Sequence, residues 1–313
     1  MSKKILILGG CGFLGANLAA KLVVNNEDVH IFDLPTTSTR NIDHLLPHIR
    51  MIRGDYCSNR DLERAVKGMD IIVHLISTTT AKNSTEDPIF DITTNIVPTV
   101  NLLQLAVRYG VSRIIYPSSG GTVYGPTECH KITEGHKTEP ISSYGIHKLA
   151  IEKYLALFRY MYGLDYYILR ISNPYGPMQW GSLNQGIIGV YCRSIVQGGQ
   201  IEVWGDGSVT RDYLYMDDTT DAFIKAMSAT ASQRLFNIGS GIGTSINGLI
   251  EILREVYSKP FEVAYKPGRQ VDVLRNVLDP SLAAEELDWR PIVGIKEGMK
   301  LTLDWFVEHQ ALL

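Results

Sequence analysis

The sequence has few of the features that mark several protein classes. Its four cysteines (Cys11, Cys57, Cys129, Cys192) form no C-x-x-C pair, so a disulfide scaffold is excluded and free thiols are expected. His130 and His136 lie near Cys129 without zinc-ligand spacing, and no metal site is expected. Thirty basic against thirty-three acidic side chains leave a formal charge of −3, too small for a global field toward nucleic acid or an anionic membrane. The chain has no internal repeat, no low-complexity tract and no Gly/Ser or Pro linker, so its parts are expected to share an interface. The opening MSKKILILGG has two lysines before a short apolar run ending in glycines, which reads as a strand and not as a signal peptide or membrane span; a cytoplasmic location is expected. The chain is 313 residues long, 45% hydrophobic and 20% charged, which fits one large or two moderate globular domains.

Short aliphatic and β-branched runs recur at Lys4–Leu8, Val29–Asp33, Ile49–Arg53, Ile71–Leu75, Arg113–Pro117 and Tyr166–Arg170. Between them, Phe13–Val24, Asp61–Val66, Ile89–Tyr109 and Ser143–Tyr162 carry helical spacing. The alternation predicts a parallel sheet with helices on both faces. Pro98 should kink the third of these helices or mark its start. After residue 171 the texture changes to irregular stretches rich in Gly, Pro, Trp and Tyr, with helices near Gly186–Val196, Thr219–Met227 and Ser245–Tyr257. A smaller, loop-rich second region is expected.

Gly9-Gly10-Cys11-Gly12-Phe13-Leu14-Gly15 follows the first strand and opens the first helix. Glycines there let the chain turn tightly and let a pyrophosphate approach the N–H groups and partial positive charge of the helix N-terminus. Asp33 ends the second strand, where a carboxylate can bind the hydroxyls of an adenosine ribose and repel a 2′-phosphate. NAD is therefore favoured over NADP, Arg40 being the nearest competing cation. Asp55, in Arg53-Gly54-Asp55-Tyr56, reads either as a contact to the adenine amino group or as a turn carboxylate.

Tyr144 and Lys148 are four residues apart on a helical segment and so share a face. A phenol titrates near 10 in water, and an ammonium together with a nicotinamide cation favours the phenolate; a drop of roughly three units is about 4 kcal/mol. Tyr144 then serves as a general base alongside hydride transfer. A hydroxyl donor is expected from Ser118-Ser119-Gly120-Gly121-Thr122-Val123-Tyr124-Gly125, at the carboxyl end of the fifth strand.

Together with His74-Leu75, Asn95, the Arg170…Asn173-Pro174-Tyr175-Gly176-Pro177 segment, Trp204-Gly205-Asp206-Gly207-Ser208…Arg211-Asp212-Tyr213, Asn237-Ile238-Gly239-Ser240-Gly241 and Arg269, these motifs resemble the extended short-chain dehydrogenase/reductases over nearly the whole chain. Within that family the likeness is to UDP-glucose/UDP-N-acetylglucosamine 4-epimerases. The resemblance implies an α/β fold: a Rossmann-type doubly wound parallel sheet in an NAD-binding domain over 1–170, rejoined by a segment near 235–241, and a smaller loop-rich α/β nucleotide-sugar domain over 171–313. It implies 4-epimerisation through a 4-keto sugar, with Tyr144, Lys148, Thr122 and Ser119 in the catalytic group. Lys148 would orient the nicotinamide ribose and depress the Tyr144 pKa. NAD would be held by Gly9, Gly12, Phe13, Leu14, Gly15, Asp33, Asp55, Tyr56, Leu75 and Lys148. The UDP-sugar would be held by Asn95, Thr122, Tyr144, Asn173, Arg211, Arg269 and Asn276, the two arginines meeting the diphosphate.

Many relatives carry Ser or Thr where Gly120 stands; Thr122 is the preferred replacement donor, before Ser119. The absence of a carboxylate in the loop disfavours the dehydratases and decarboxylases of the family. A bulky tyrosine restricts some epimerases to unacetylated sugars; counted back from Trp289, that position is Asn276 here, so UDP-N-acetylglucosamine and UDP-N-acetylgalactosamine are expected substrates besides the simple hexoses. Surplus apolar residues on Ile89–Tyr109 and Ser143–Tyr162 imply a homodimer, and a polysaccharide role follows from substrate class alone. The competing readings are a nucleotide-keto-sugar reductase, weakened by Asp33, and a non-catalytic NAD sensor, weakened by Tyr144 and Lys148.

Overall fold

A computed structural model describes residues 2–81, 83–180, 186–268 and 273–312. Its strands are β1 (Lys4–Leu8), β2 (Asp28–Asp33), β3 (Arg50–Arg53), β4 (Ile71–His74), β5 (Arg113–Ser119), β6 (Asp165–Ile171), β7 (Asn173–Tyr175), β8 (Ile201–Trp204), β9 (Thr210–Tyr215), β10 (Leu235–Ile238), β11 (Gly243–Ser245), β12 (Val263–Lys266) and β13 (Arg275–Asn276). The helices are α1 (Phe13–Val24), α2 (Asn59–Val66), α3 (Pro88–Asp91), α4 (Val97–Arg108), α5 (Ser143–Tyr162), α6 (Ile187–Val196), α7 (Met216–Ser228), α8 (Ile246–Val256), α9 (Ser281–Glu286) and α10 (Ile295–Glu308). The chain divides into two compact units. The first takes the residues up to Gly125, Lys137–Arg170 and Thr220–Phe236; the second takes Pro126–His136, Ile171–Thr219 and the residues from Asn237 on.

The first unit is built on a seven-stranded sheet in the order β3-β2-β1-β4-β5-β6-β10, parallel across β3-β2-β1-β4-β5. Helices cover both faces of such a sheet, and for that reason its strands read as short unbroken apolar runs. Leu6, Leu8, Ile72 and Ile114 of the sheet pack with Leu102 and Leu103 of α4 and Ile151 and Leu155 of α5, all buried. Each such side chain contributes about 1.5–3 kcal/mol of burial. The strand order reverses between β1 and β4, and a ligand crevice in an α/β sheet opens beyond the carboxyl ends of strands at such a point. α5 has the ends its sequence prescribes: the Ser142 hydroxyl accepts the Gly145 N–H, and Gly163 closes the helix in the left-handed region at φ 72°.

The expected single helix over Ile89–Tyr109 is instead three pieces: α3, a π turn over Ile92–Ile96, and α4. Pro98 has no N–H to give the preceding turn and its ring crowds it, so the chain inserts one wider turn before α4 starts. Thr93 and Thr94 reinforce the break, their hydroxyls donating back to the Ile89 and Phe90 carbonyls.

The second unit has a four-stranded sheet, β11-β9-β13 with β7 also on β9, and a two-stranded pair, β12-β8. Its core gathers Tyr175, Tyr191, Ile195, Leu249, Leu253, Met299 and Phe306 from β7, α6, α8 and α10. Among the described residues no helix is long and apolar enough to cross a membrane, and no group of three or more His, Cys, Asp or Glu side chains could hold a metal ion.

Candidate active site

The glycine loop joins β1 to α1. Gly9 turns at φ 85°, its N–H donating to the Phe32 carbonyl, and a Cβ on it would press Ile76, just past β4. A Cβ on Gly10 would overlap the Ile31 side chain at 2.6 Å, and one on Gly15 would lie 2.4 Å from the Gly9 oxygen. These two glycines are required by the protein's own packing. Gly12 differs: at φ −74° it caps α1 without a side-chain hydrogen bond, and the nearest atom to an added Cβ is the Gly9 oxygen at 3.4 Å. An uncapped helix N-terminus beside an open glycine fits the pyrophosphate of NAD.

Asp33 is tied to this loop. Its carboxylate accepts the Cys11 N–H at 3.0 Å and the Leu34 N–H at 3.0 Å, which sets it at the end of β2 near the cradle. Burial and the Asp33 carboxylate push the Cys11 thiol up to about 12, so it stays protonated. Arg53, distant from Asp33 in sequence but opposite it in the β2–β3 register, donates to the Leu34 and Thr37 carbonyls. Asp55 does turn work, its Oδ1 accepting the Cys57 N–H ahead of α2. Tyr56 is turned into the core, its hydroxyl 2.9 Å from both His74 Nε2 and Thr99 Oγ1, so its phenol is not offered to a cofactor. Leu75 is half-buried just past β4, with its N–H on the Leu8 carbonyl.

Tyr144 and Lys148 lie in the first turns of α5. The Tyr144 N–H donates to Ser84 Oγ at 2.9 Å. Lys148 Nζ donates to the Pro117 carbonyl at 3.0 Å and sits 4.7 Å over the Tyr116 ring and 5.6 Å from the Tyr144 ring centroid. Gly145 has no side chain because the Thr122 carbonyl packs 2.8 Å from where its Cβ would be, which brings Thr122 against the residue next to Tyr144. Thr122 Oγ1 is buried with no hydrogen-bond partner among the described residues, an arrangement that costs roughly 1–3 kcal/mol unless a ligand completes it. Ser119 is half-buried in the same loop. Ser118 is committed elsewhere: it donates at 2.5 Å to Glu152, which pairs with Arg170 at 2.6 Å in the interior.

Without ligand, burial pushes the Tyr144 phenol up to about 12, and the Asp91 carboxylate adds to the rise. Burial brings Lys148 itself down to about 8, against the pull of Glu152 and Asp91. In the protein alone the phenol therefore stands above its ordinary value; the depression expected from Lys148 together with the nicotinamide cation concerns the NAD-bound protein.

Asn95, 3% exposed, spends its amide on Asp91 and on the Thr78–Thr79 backbone and hydroxyls, so it shapes the loop after β4. In the second unit, Asn173 donates to the Asp212 carbonyl at 2.8 Å, Arg211 is half-buried on β9, and Asn276, 1% exposed on β13, stands opposite Arg211 in register. Arg269 lies outside the described residues. Three interior groups went unread in the sequence: Asp91, His147 and Glu152. A histidine between Tyr144 and Lys148 was the available signal.

The family described as "NAD dependent epimerase/dehydratase family" matches residues 5–239. A UDP-glucose 4-epimerase of Mycolicibacterium smegmatis is 31% identical over 309 residues, covering 97% of this chain and 98% of that protein. The crystal structure of UDP-glucose 4-epimerase from Thermotoga maritima with UDP-glucose superposes with a TM-score of 0.92 at 33% identity, covering 99% of this chain and all of that one. UDP-N-acetylglucosamine 4-epimerase from Methanobrevibacter ruminantium, in complex with UDP-N-acetylmuramic acid, gives 0.91 at 26% identity over 98% of this chain and 99% of that one.

Proposed function

The chain belongs to the NAD dependent epimerase/dehydratase family, and we propose that it is a 4-epimerase interconverting the gluco and galacto forms of UDP-sugars, acetylated and plain. The observation that carries this reading is the pairing of Tyr144 and Lys148 on α5 with Thr122, whose carbonyl packs against Gly145 and whose hydroxyl is buried without a partner among the described residues. Bound NAD supplies a hydride acceptor that returns what it takes. Tyr144 removes the proton from the sugar 4-hydroxyl and later gives it back, and Thr122 Oγ1 holds the reacting oxygen. Gly120 has no side chain for that task. The Ser118–Tyr124 loop holds no carboxylate, which argues against elimination or decarboxylation. In this reading Arg211 and Arg269 are the diphosphate ligands, Asn173 is a further substrate contact, and Asn276 leaves space for a 2-acetamido group.

A homodimer goes with this reading. Ile89, Phe90, Ile92 and Val97 on α3, the π turn and α4, and Ile146, Leu157 and Met161 on α5, are large apolar side chains 42–69% exposed in the single chain. Sedimentation equilibrium would test it; a monomer at micromolar concentration would count against it.

The deciding experiment incubates the purified protein, with no nicotinamide added, separately with UDP-N-acetylglucosamine and UDP-glucose and resolves the 4-epimers by chromatography or NMR. The galacto epimer is expected from both. No product from either, with NAD bound, would refute the epimerase reading in favour of net reduction or another nucleotide-sugar.

A further inference from the structure

Asp91 is fully buried at the end of α3, and a carboxylate in that position is costly unless its oxygens are saturated. It accepts hydrogen bonds from four side chains: Thr79 Oγ1 in the loop after β4, Asn95 Nδ2 in the π turn at 3.2 Å, and, on α5, Ser143 Oγ at 2.8 Å and His147 Nδ1 at 2.8 Å. Ser143 and His147 flank Tyr144, so one buried anion clamps the helical turn carrying the phenol from both sides. The His147 ring stands edge-on to the Tyr144 ring, centroids 5.0 Å apart and planes at 72°. A carboxylate only accepts, so Nδ1 carries the hydrogen, and the ring cannot rotate without leaving Asp91. Burial and the neighbouring Lys148 hold the imidazole neutral, its pKa lowered to about 4 against the pull of Asp91.

A spacer between Tyr144 and Lys148 needs none of this. We propose that His147, locked by Asp91, is a positioning residue that fixes the Tyr144 ring for proton transfer, an inference that rests on Tyr144 being the base. The pair works through geometry and not through a proton of its own. The Tyr144 ring has one side on His147, and its backbone is pinned by Ser84; removing the imidazole opens a space beside the phenol while Lys148 stays on Pro117.

The test uses the full-length protein with its bound NAD and measures turnover of UDP-glucose and UDP-N-acetylglucosamine per folded, NAD-loaded subunit. His147→Ala is expected to lower kcat about ten- to hundredfold, the scale of a misplacement of about 1 Å, with KM and NAD content within about twofold of wild type. His147→Asn puts an N–H where Nδ1 stands and should recover most of the loss. Unchanged kcat in His147→Ala, with Tyr144→Phe inactive, overturns the inference. So does a loss that appears in KM or in the folded fraction and that Asn does not rescue, since this is what a purely structural histidine would do. Sustained turnover in Tyr144→Phe is a separate failure: it removes the base assignment, and the positioning role with it.

Discussion

Gly15→Ala puts a methyl group where the protein has no room. Its Cβ would lie 2.4 Å from the Gly9 oxygen and 2.6 Å from Gly10 Cα, and both neighbours are backbone, so relief means moving α1 away from the loop by about 1 Å. Overpacking of this kind costs about 1–3 kcal/mol, and the better helix propensity of alanine returns up to about 1 kcal/mol. The net loss of about 1–2 kcal/mol corresponds, for a chain of this length, to a melting temperature lower by about 1.5–3 °C. Because the displaced atoms belong to the loop proposed to cradle the pyrophosphate, NAD affinity should fall by at least about tenfold, or 1.4 kcal/mol. Gly12→Ala is the informative partner, since its methyl group meets nothing of the protein closer than 3.4 Å and its φ of −74° suits any residue. It should cost under about 1 kcal/mol of stability and yet lose NAD as Gly15→Ala does. The assays are thermal melting and quantification of NAD released from the purified variants by acid. Wild-type NAD content in Gly12→Ala would refute the placement of the pyrophosphate, and wild-type melting of Gly15→Ala would refute the packing argument.

Three further outcomes follow from the interior charges and the pocket. Arg170→Met strands the buried Glu152 carboxylate and should destabilise by about 3–5 kcal/mol, whereas Arg170→Met with Glu152→Leu should return most of that; urea melts of the cycle check it, and a single-variant cost below about 1 kcal/mol would contradict it. In NAD-free protein, Lys148 titrates near 8 when folded and near 10.5 when unfolded, so the unfolded chain holds more protons between these values and the penalty of the buried ammonium is relieved as pH rises. Lys148→Met should therefore be more stable than wild type near pH 7 by up to about 3 kcal/mol, with the gap closing toward pH 10; a gap independent of pH would refute this. Asn276→Tyr should lower turnover of UDP-N-acetylglucosamine far more than that of UDP-glucose, measured by the same chromatographic assay, and equal effects on both would remove Asn276 from the specificity argument.

Much of the first unit was legible from local pattern. α1 and α5 begin and end where periodicity and capping residues put them, because an apolar stripe, a Ser142 cap and a Gly163 terminator act within a few residues of one another. The glycine loop and Asp33 were legible for a similar reason, each needing only its own strand end. The break at Pro98 was signalled, but its form was not, since a π turn depends on how the helix packs beyond the proline.

The sequence by itself determined the alternation of strands and helices, the tight glycine turn at Gly9–Gly15 and the presence of Tyr144 and Lys148 on one helical face, all consequences of short-range sterics and periodic burial. Tertiary structure alone decided that Ser118 and Tyr56 turn inward, that Thr122 keeps a buried hydroxyl without a partner among the described residues, that Arg53 closes the loop after Asp33, and that Asp91 reaches over 56 residues of chain to clamp His147. Each of these depends on which distant group can satisfy a buried polar atom, and that competition is settled only when the sheet brings the loops together.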